Sequence, residues 1–583
     1  MGAFRINLAK GLLTLFALLV LIACIAAFRT AVRQPFHLDE AEEALMGLKM
    51  SRIGPRAFLA VPGGGMPVTH PLLYTFTQAA VQRVFGPGEF PLRMYGVFHF
   101  VVSLILLLAI INELLKEDRF LKNIGMGIGA LLYIINPLLI QHSVVINADN
   151  NILTTTILVF IYFFVRFEKF DGDRFFYSRF LLGLLLALCF WAKELAPAFI
   201  FFGILVYRLI NREFGKFICE VVLIGMVGLA VFWVTWWIYC AATGTDVLGF
   251  IKYTIIGKSK RAFSRSYLSD ISNMVFYGSR WNIYWASVPF FVSLAAVFVR
   301  RAGSFITDRR LNSTDLIFIC AITAWVPFQF FRPTIDMVKY QYPTYPLFIA
   351  VIACVSVGAI RARARKLNGR YICGNDAVLL FALTAVLTFH YYAIGDYLLV
   401  LWKPLTRHLN SHFLTYYYLP LAIIAVTVVV VSKRAVIWNN LFLSAVIFIV
   451  PVNLGLDLNH AKAKYATFEI WLNYGEAGLR DTAEYLKANV KNGGIVAVRY
   501  DLEYYLIHRY GLNVKNAVCP EKLFRTTDNV VVNRLFSEIP IQYFVVDHVS
   551  ATASLNPDLP QLIERYFIFD RQIGDFYIYR RRG

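Results

Sequence analysis

Apolar runs long enough to cross a lipid bilayer recur along most of the chain, and this feature constrains the fold more than any other. A helix needs roughly 20 apolar residues, or somewhat fewer in a tightly packed bundle, to cross a hydrocarbon core of about 30 Å. The runs lie near residues 9 to 28, 94 to 114, 124 to 141, 150 to 166, 180 to 192, 196 to 211, 218 to 240, 286 to 300, 314 to 331, 344 to 360, 376 to 395, 416 to 432 and 438 to 456. With 58% hydrophobic and only 16% charged residues, the chain is too apolar for a soluble globular protein. We predict a polytopic α-helical membrane protein with about 13 transmembrane helices.

Residues 180 to 211 can form either one long helix or two short spans. Lys193, Glu194 and Pro197 occupy the middle of this interval. Proline disfavours continuation of a helix, and an ion pair at bilayer depth is costly. We therefore predict two spans that meet at a polar turn.

The formal net charge of +20 raises the question of a nucleic-acid partner. Most of the basic residues flank apolar runs rather than form one stripe, which argues against nucleic-acid binding. They fall in alternate short loops, near residues 116–122, 166–179, 208–216, 300–310, 361–370 and 433–434. By the positive-inside rule these loops are cytoplasmic, and the other loops and everything after about residue 457 are extracytoplasmic. We expect a multi-pass membrane protein.

Two of the predicted outer loops are long. Residues 29 to 93 contain two stretches with apolar residues at helical spacing, which predict amphipathic helices in the membrane interface; they are Ala41, Ala44, Leu45 and Leu48, and Leu72, Leu73, Phe76 and Ala80. Residues 242 to 285 are basic and include Lys258 and Arg261. Either long loops are exempt from the charge rule, or this loop binds anionic phosphate groups.

The chain changes character after the last apolar run, so we divide it into a membrane domain, residues 1 to 456, and an extracytoplasmic domain, residues 457 to 583. Residues 482 to 489 are predicted to form a helix, and residues 495 to 500 and 543 to 547 to form strands. Residues 566 to 570 and 576 to 580 suggest a closing hairpin. These elements predict a small mixed α/β domain outside the membrane.

Acidic residues occur directly after the first span, in the sequence Phe36-His37-Leu38-Asp39-Glu40. Their position places carboxylates at headgroup depth, before the first interfacial helix. The alternative is structural, because acidic residues stabilise the first turn of any helix. A second carboxylate, Asp149, opens the fourth span, and it could be a simple N-cap. Under the predicted topology both acidic segments lie on the same side of the membrane.

Several short motifs, in their order along the chain, resemble the GT-C superfamily of polyprenyl-phosphate-sugar glycosyltransferases. The likeness is to the branch with protein O-mannosyltransferases and lipid A aminoarabinose transferases. The motifs are Asp39-Glu40, Thr69-His70-Pro71-Leu72-Leu73-Tyr74, Phe90-Pro91-Leu92-Arg93, Asp149, Ala192-Lys193-Glu194, and Arg332 through Lys339-Tyr340-Gln341-Tyr342-Pro343. The chain departs from the aminoarabinose branch at residues 69 to 71, where that branch has an acidic residue and a lysine before the proline.

The resemblance implies transfer of a sugar from a polyprenyl phosphate, such as undecaprenyl phosphate, to an acceptor on the periplasmic face. Inversion at the sugar carbon needs a base for the acceptor hydroxyl, and the charge that grows on the leaving phosphate must be offset. We expect Asp39 to be the base, with Glu40 as the alternative. Asp149 would orient the acceptor or share a divalent metal cation with Asp39.

Basic residues at the outer face are the candidates for the donor phosphate, although such side chains also reach lipid headgroups by snorkelling. They are Arg332, Lys339, Lys193 and Arg93. A further set is expected to contact the acceptor or the lipid headgroups, with a structural hydrogen-bonding role as the alternative for the two histidines: His37, His70, Lys258 and Arg261.

Two other functions compete with the glycosyltransferase hypothesis. A transporter or lipid flippase with an accessory outer domain is the first, but the acidic residues cluster at one face and no internal repeat is visible. A non-catalytic assembly protein is the second. The expected partners are membrane lipids, the polyprenyl-phosphate sugar and an acceptor that is a lipid such as lipid A, a glycan or a protein; we expect a monomer.

Overall fold

The structure is a computed structural model, and it describes the greater part of the chain. The described residues are 38–54, 71–115, 119–170, 172–193, 195–244, 310–331, 340–366, 435–462, 478–491, 493–513, 516–518, 529–547 and 558–583, with isolated positions between 18 and 28 and between 247 and 301.

The described part of the chain up to residue 462 is helical. Its main helices are α1 (Leu38–Ile53), α2 (Leu73–Phe85), α3 (Glu89–Leu114), α4 (Arg119–Ile134), α5 (Pro137–His142), α6 (Thr154–Phe167), α7 (Asp173–Ala192), α8 (Leu195–Ile210), α9 (Phe214–Thr243), α10 (Ser313–Phe331), α11 (Tyr345–Lys366) and α12 (Ala435–Lys462). A π-helical turn, Asp149–Leu153, leads into α6, and a π-helical segment, Val221–Met226, lies within α9.

Within the described residues, five helices are long and apolar enough to cross a membrane: Glu89–Leu114, Asp149–Phe167, Asp173–Ala192, Phe214–Thr243 and Tyr342–Ala362. Four shorter apolar helices accompany them: Leu195–Ile210, Pro289–Phe298, Ser313–Pro327 and Ala445–Gly455. The described residues are therefore mostly helical and include several apolar helices, as expected of a multi-pass membrane protein. The predicted spans at 376 to 395 and 416 to 432 lie outside the described residues, so the number of 13 spans stays a prediction.

The third predicted span, residues 124 to 141, is not one continuous helix. Helix α4 ends at Ile134 and α5 begins at Pro137. Pro137 has no N–H group to continue the helical ladder, and it favours the first position of a new helix. The Oδ1 atom of Asn136 accepts a hydrogen bond from the N–H of Leu139 at 3.2 Å, which caps α5. A local cap and a proline thus override the apolar pattern.

The predicted interruption between residues 180 and 211 is present as two separate helices, while their crossing of the membrane as two spans stays a prediction. Helix α7 ends at Ala192, Lys193 has an extended backbone (φ −169°, ψ 143°), and α8 begins at Leu195. Both helices therefore terminate at a polar turn, and Lys193 is available at that turn for contacts outside its own helices.

Helices α1 and α2 pack closely against each other. At Gly47 of α1, a Cβ atom would lie 2.8 Å from the Cβ atom of Gln78 on α2, so only glycine permits this approach. Nearby, Nε2 of Gln82 donates to the carbonyl oxygen of Ala44 at 2.9 Å. The predicted apolar face of α1 is buried as expected, whereas Ala80 of α2 is exposed. Helix α2 buries a partly polar face instead, because that face lies against α1.

The C-terminal region has a mixed α/β fold. Its elements are α13 (Leu479–Asn489), β1 (Ile495–Ala497), α14 (Tyr500–Tyr510), β2 (Ala517–Val518), α15 (Asn529–Glu538), β3 (Ile541–Asp547), α16 (Leu559–Tyr566), β4 (Phe567–Ile573) and β5 (Phe576–Arg581). The five strands form one sheet in the order β2-β1-β3-β5-β4. Strand β1 pairs in parallel with β2 and β3, while β5 pairs antiparallel with β3 and β4. The predicted closing hairpin is present, but Tyr500 begins a helix and does not end a strand.

The two faces of this sheet belong to different cores. Phe544 and Val546 of β3 face a core formed within the C-terminal region, together with α15 and α16. Tyr543 and Val545 face the opposite way, as alternation along a strand requires, and join the core that also contains α1 and the membrane helices. The C-terminal region is thus packed onto the helical part through α14, which contacts α1 and α3.

Candidate functional site

A buried ion pair joins the start of α1 to the start of α3. The Nη1 and Nη2 atoms of Arg93 donate to Oε1 and Oε2 of Glu40 at 2.9 and 3.1 Å, and both side chains are 1% exposed. Such a two-pronged contact matches the planar fork of the guanidinium to the carboxylate. The sequence analysis places Arg93 among the phosphate ligands and Glu40 as an alternative base. In the structure each of them neutralises the other.

The same pair also holds the segment that precedes Asp149. Nη1 of Arg93 donates to the carbonyl oxygen of Val144 at 2.7 Å, and the N–H of Ile146 donates to Oε1 of Glu40 at 2.9 Å. The oxygens of Glu40 are already occupied by these donors, so an acceptor hydroxyl would have to displace one of them. Asp39, the preceding residue in the first turn of α1, has a side chain outside the described residues.

Asp149 begins a π-helical turn rather than an ordinary helix. The N–H of Leu153 donates to the carbonyl oxygen of Ala148, and Oγ1 of Thr154 donates to the carbonyl oxygen of Asp149. Single π-helical turns often occur at functional sites. The N-cap position is Ala148, with no side-chain cap, so the alternative in which the Asp149 carboxylate caps the helix is wrong.

The Asp149 carboxylate instead pairs with the polar turn between α7 and α8. Nζ of Lys193 lies 2.6 Å from Oδ2 of Asp149, and the Asp149 side chain is only 1% exposed. The same ammonium lies 4.4 Å from the ring centroid of Tyr340, the first described residue after the segment that holds Arg332 and Lys339. Asp149 and Tyr340 together fix the position of the Lys193 charge.

Two tyrosines tie the surrounding elements together. Nδ2 of Asn151 donates to the hydroxyl of Tyr74 on α2 at 3.2 Å, and the Tyr342 hydroxyl donates to the carbonyl oxygen of Leu139 at 3.0 Å. Burial, with Glu43 as the next contribution, raises the pKa of the Tyr74 hydroxyl well above its usual value. The hydroxyl therefore keeps its proton at neutral pH. Both tyrosines lie in the motifs that carry the resemblance, but no sequence pattern predicts these long-range contacts.

The structure therefore brings Glu40, Arg93, Asp149 and Lys193 to one end of the helical part. The carboxylate of Glu40 accepts a bond from Ile146, three residues before Asp149, so the two acidic segments meet. The remaining predicted site residues lie outside the described residues: His37, His70, Lys258, Arg261, Arg332 and Lys339.

A divalent metal shared by Asp39 and Asp149 stays a prediction, because the Asp39 side chain lies outside the described residues. Among them, no group of three or more His, Cys, Asp or Glu side chains is arranged to hold a metal ion. The charge of Asp149 is already balanced by Lys193 at 2.6 Å.

A family model described as dolichyl-phosphate-mannose-protein mannosyltransferase matches residues 69–239 of the chain. The matched part includes Arg93, Asp149 and Lys193. No curated protein sequence matches the chain. The recognised resemblance to the GT-C superfamily is thus confirmed at the level of a family model for this part of the chain.

Two solved structures have similar folds, and each match covers 98% of this chain and 98% of the chain in the solved structure. They are the crystal structures of ArnT from Cupriavidus metallidurans in the apo state, with 14% sequence identity and a TM-score of 0.57, and bound to undecaprenyl phosphate, with 13% identity and a TM-score of 0.54. At this identity the likeness shows the fold. The likeness extends over the membrane helices and the C-terminal region alike.

Proposed function

We propose that this chain, whose fold resembles that of ArnT, is an integral membrane glycosyltransferase. It moves a sugar from a polyprenyl-phosphate donor to an acceptor on the periplasmic face of a bacterial inner membrane. The matched family is described by its use of a dolichyl-phosphate sugar, and one similar structure holds undecaprenyl phosphate. Both carriers are polyprenyl phosphates, which supports this class of donor.

The meeting of the two acidic segments is the observation that carries the proposal. A hydrogen bond of 2.9 Å links the Glu40 carboxylate to the backbone of Ile146, and Lys193 pairs with Asp149 just beyond it. A transferase needs a base for the acceptor beside a cation for the leaving phosphate. We propose Asp39, the residue before Glu40, as this base and Lys193 as this cation.

In the proposed reaction Asp39 removes the proton from the acceptor hydroxyl. The acceptor oxygen then forms a bond to the anomeric carbon while the bond from that carbon to the phosphate oxygen breaks, which inverts the configuration. The proton stays on the Asp39 carboxylate, and the electron pair leaves with the polyprenyl phosphate. Glu40 is the neighbour of Asp39 in the first turn of α1, and its pairing with Arg93 holds that turn in place.

Lys193 offsets the charge on the leaving phosphate. A cation held before the reaction starts needs no reorganisation when the charge develops, and its effect is larger away from bulk water. Lys193 is 9% exposed and is held by Asp149. We propose that Arg332 and Lys339 add to this charge, and that His37, His70, Lys258 and Arg261 contact the acceptor or lipid headgroups.

The proposed function is tested by sugar transfer with purified protein. Radiolabelled polyprenyl-phosphate sugars, both neutral and amino sugars, are offered together with membrane extract as the source of acceptor. We expect transfer from at least one donor, and we expect Asp39→Asn to lower turnover by about 100-fold or more because the base is lost.

Asp173→Asn is the matched control, because Asp173 is an exposed aspartate in the first turn of another helix, α7. It should leave turnover unchanged. Transfer that survives Asp39→Asn would remove the base assignment. Absence of transfer from every donor would contradict the enzyme and favour the transporter or flippase alternative.

A further inference from the structure

Helix α14 of the C-terminal region contacts both of the helices that carry the Glu40–Arg93 pair. On α1 it reaches Lys49, which follows Glu40 by nine residues in the same helix. On α3 it reaches Glu89, which precedes Arg93 by four residues, or about one turn. No other helix of the C-terminal region has a described side-chain bond to both.

The contact with α1 is a buried ion pair. Nζ of Lys49 lies 2.5 Å from Oε1 of Glu503, and the two side chains are 4% and 0% exposed. Burial raises the pKa of the Glu503 carboxyl, and the Lys49 charge opposes that rise. Loss of either partner leaves the other charged group buried without compensation, so this contact strongly favours one placement of α1.

The contact with α3 is a hydrogen bond from the Tyr505 hydroxyl to Oε1 of Glu89. Tyr505 is the second residue after Glu503, and its neighbours Leu502, Leu506 and Ile507 are buried in the core shared with α1. The helix that provides both bonds is therefore itself held firmly.

We propose that α14 is a positioning element for the reaction, in which Glu503 and Tyr505 hold α1 against α3 and so place the acidic first turn of α1. This inference rests on the proposed function. It gives the C-terminal region a role in turnover without requiring that it touch the substrate. The reason is geometric: a misplacement of about 1 Å at a reacting group can cost about 100-fold in rate.

The test compares Glu503→Gln with wild type in the purified full-length chain. Two quantities are measured: kcat and KM for the polyprenyl-phosphate sugar, and hydrogen exchange of the backbone amides of residues 38–53. We expect kcat to fall by about 10- to 100-fold. We expect KM for the donor to stay within about two-fold of wild type, because the donor contacts are not removed. Exchange within residues 38–53 should become faster.

Two further variants separate positioning from general damage. Exchange of the two charges, Lys49→Glu with Glu503→Lys, should recover part of kcat, since the pair is restored with opposite polarity. Glu538→Gln is the matched control, because Glu538 is an exposed carboxylate of the same region and pairs with Arg534 at 2.9 Å. If Glu503→Gln does not fold, Tyr505→Phe, which removes only one hydroxyl, is compared in the same way.

Unchanged kcat together with unchanged exchange of residues 38–53 would overturn the inference. So would a loss of activity that only follows the loss of folded protein, with no change in exchange. If wild type transfers no sugar, the proposed function fails, and the exchange measurement alone decides on positioning. Faster exchange would then support the coupling of α14 to α1, and unchanged exchange would refute it.

Discussion

Lys193 and Asp149 form an ion pair that is almost closed to solvent, and each side chain depends on the other. Their separation is 2.6 Å, and the Tyr340 ring covers the ammonium group. If Lys193 offsets the charge of the leaving phosphate, Lys193→Met should lower kcat/KM by about 100-fold. Lys193→Arg keeps the charge and should lose less. The measurement is the rate of sugar transfer at limiting donor.

Lys169→Met is the control for this prediction. Lys169 also pairs with a carboxylate at 2.6 Å, that of Glu113, but its side chain is 59% exposed. An exposed pair contributes little, so this variant should behave as wild type. A Lys193→Met protein with unchanged kcat/KM would show that the cation does not act on the donor phosphate.

At the scale of single residues, the sequence singles out Lys193 and Asp149 as candidates but does not predict their partners. Lys193 stands out because a charge interrupts an apolar run, and Asp149 because it opens one. Their pairing joins positions 44 apart in the chain, and the Glu40–Arg93 pair joins positions 53 apart. Such contacts result from the packing of helices. No local spacing encodes them. For this reason the sequence analysis assigns Arg93 to a phosphate and does not predict its ion pair with Glu40.

Among the helices, the close approach of α3 to the segment before Asp149 depends on Gly96. A Cβ atom there would lie 2.1 Å from the carbonyl oxygen of Ser143, which is backbone and cannot rotate away. Gly96→Ala should therefore shift this segment and lower the stability by about 1 to 3 kcal/mol. Sugar transfer should fall with it, because Val144 and Ile146 are held by the Glu40–Arg93 pair. Thermal unfolding in detergent measures the change.

Gly127→Ala provides the comparison, since no atom lies within 4 Å of the Cβ position at Gly127 in α4. Alanine favours the helix over glycine by up to about 1 kcal/mol, so this variant should be neutral or slightly more stable. Equal behaviour of the two variants would contradict a tight contact at Gly96.

Element boundaries were predictable where a local signal decided them. The turn at Lys193 follows from a charge and a nearby proline, and the hairpin of β4 and β5 follows from two apolar segments around a tight turn. The strand expected at residues 495 to 500 is too long, because Tyr500 begins α14. Tyrosines 500, 504 and 505 suit a strand by propensity, but burial of Tyr504 and Tyr505 against the helical part makes a helix the better solution.

Across the whole molecule, a second group of charges lies far from the candidate site. Arg179 and Arg208 are fully buried and bind carboxylates from neighbouring helices; the members are Glu168, Arg179, Arg208, Glu213, Lys216 and Glu220. Arg179 precedes Lys193 by 14 residues, or about 20 Å along α7. The basic residues after the fourth and sixth predicted spans therefore meet near the start of α7, and Lys193 lies at its other end. This arrangement agrees with the alternation of basic loops, while the orientation in the membrane stays a prediction.

The proposed function requires that this chain breaks the bond between a sugar and a polyprenyl phosphate. A donor that has one radiolabel in the sugar and a different one in the phosphate reports this event. We predict that each sugar that enters an acceptor leaves one labelled polyprenyl phosphate behind, and that Asp39→Asn slows both events together by about 100-fold or more. If wild-type protein leaves the two labels joined in one lipid, with or without movement across the membrane, the chain is not a glycosyltransferase that uses this donor.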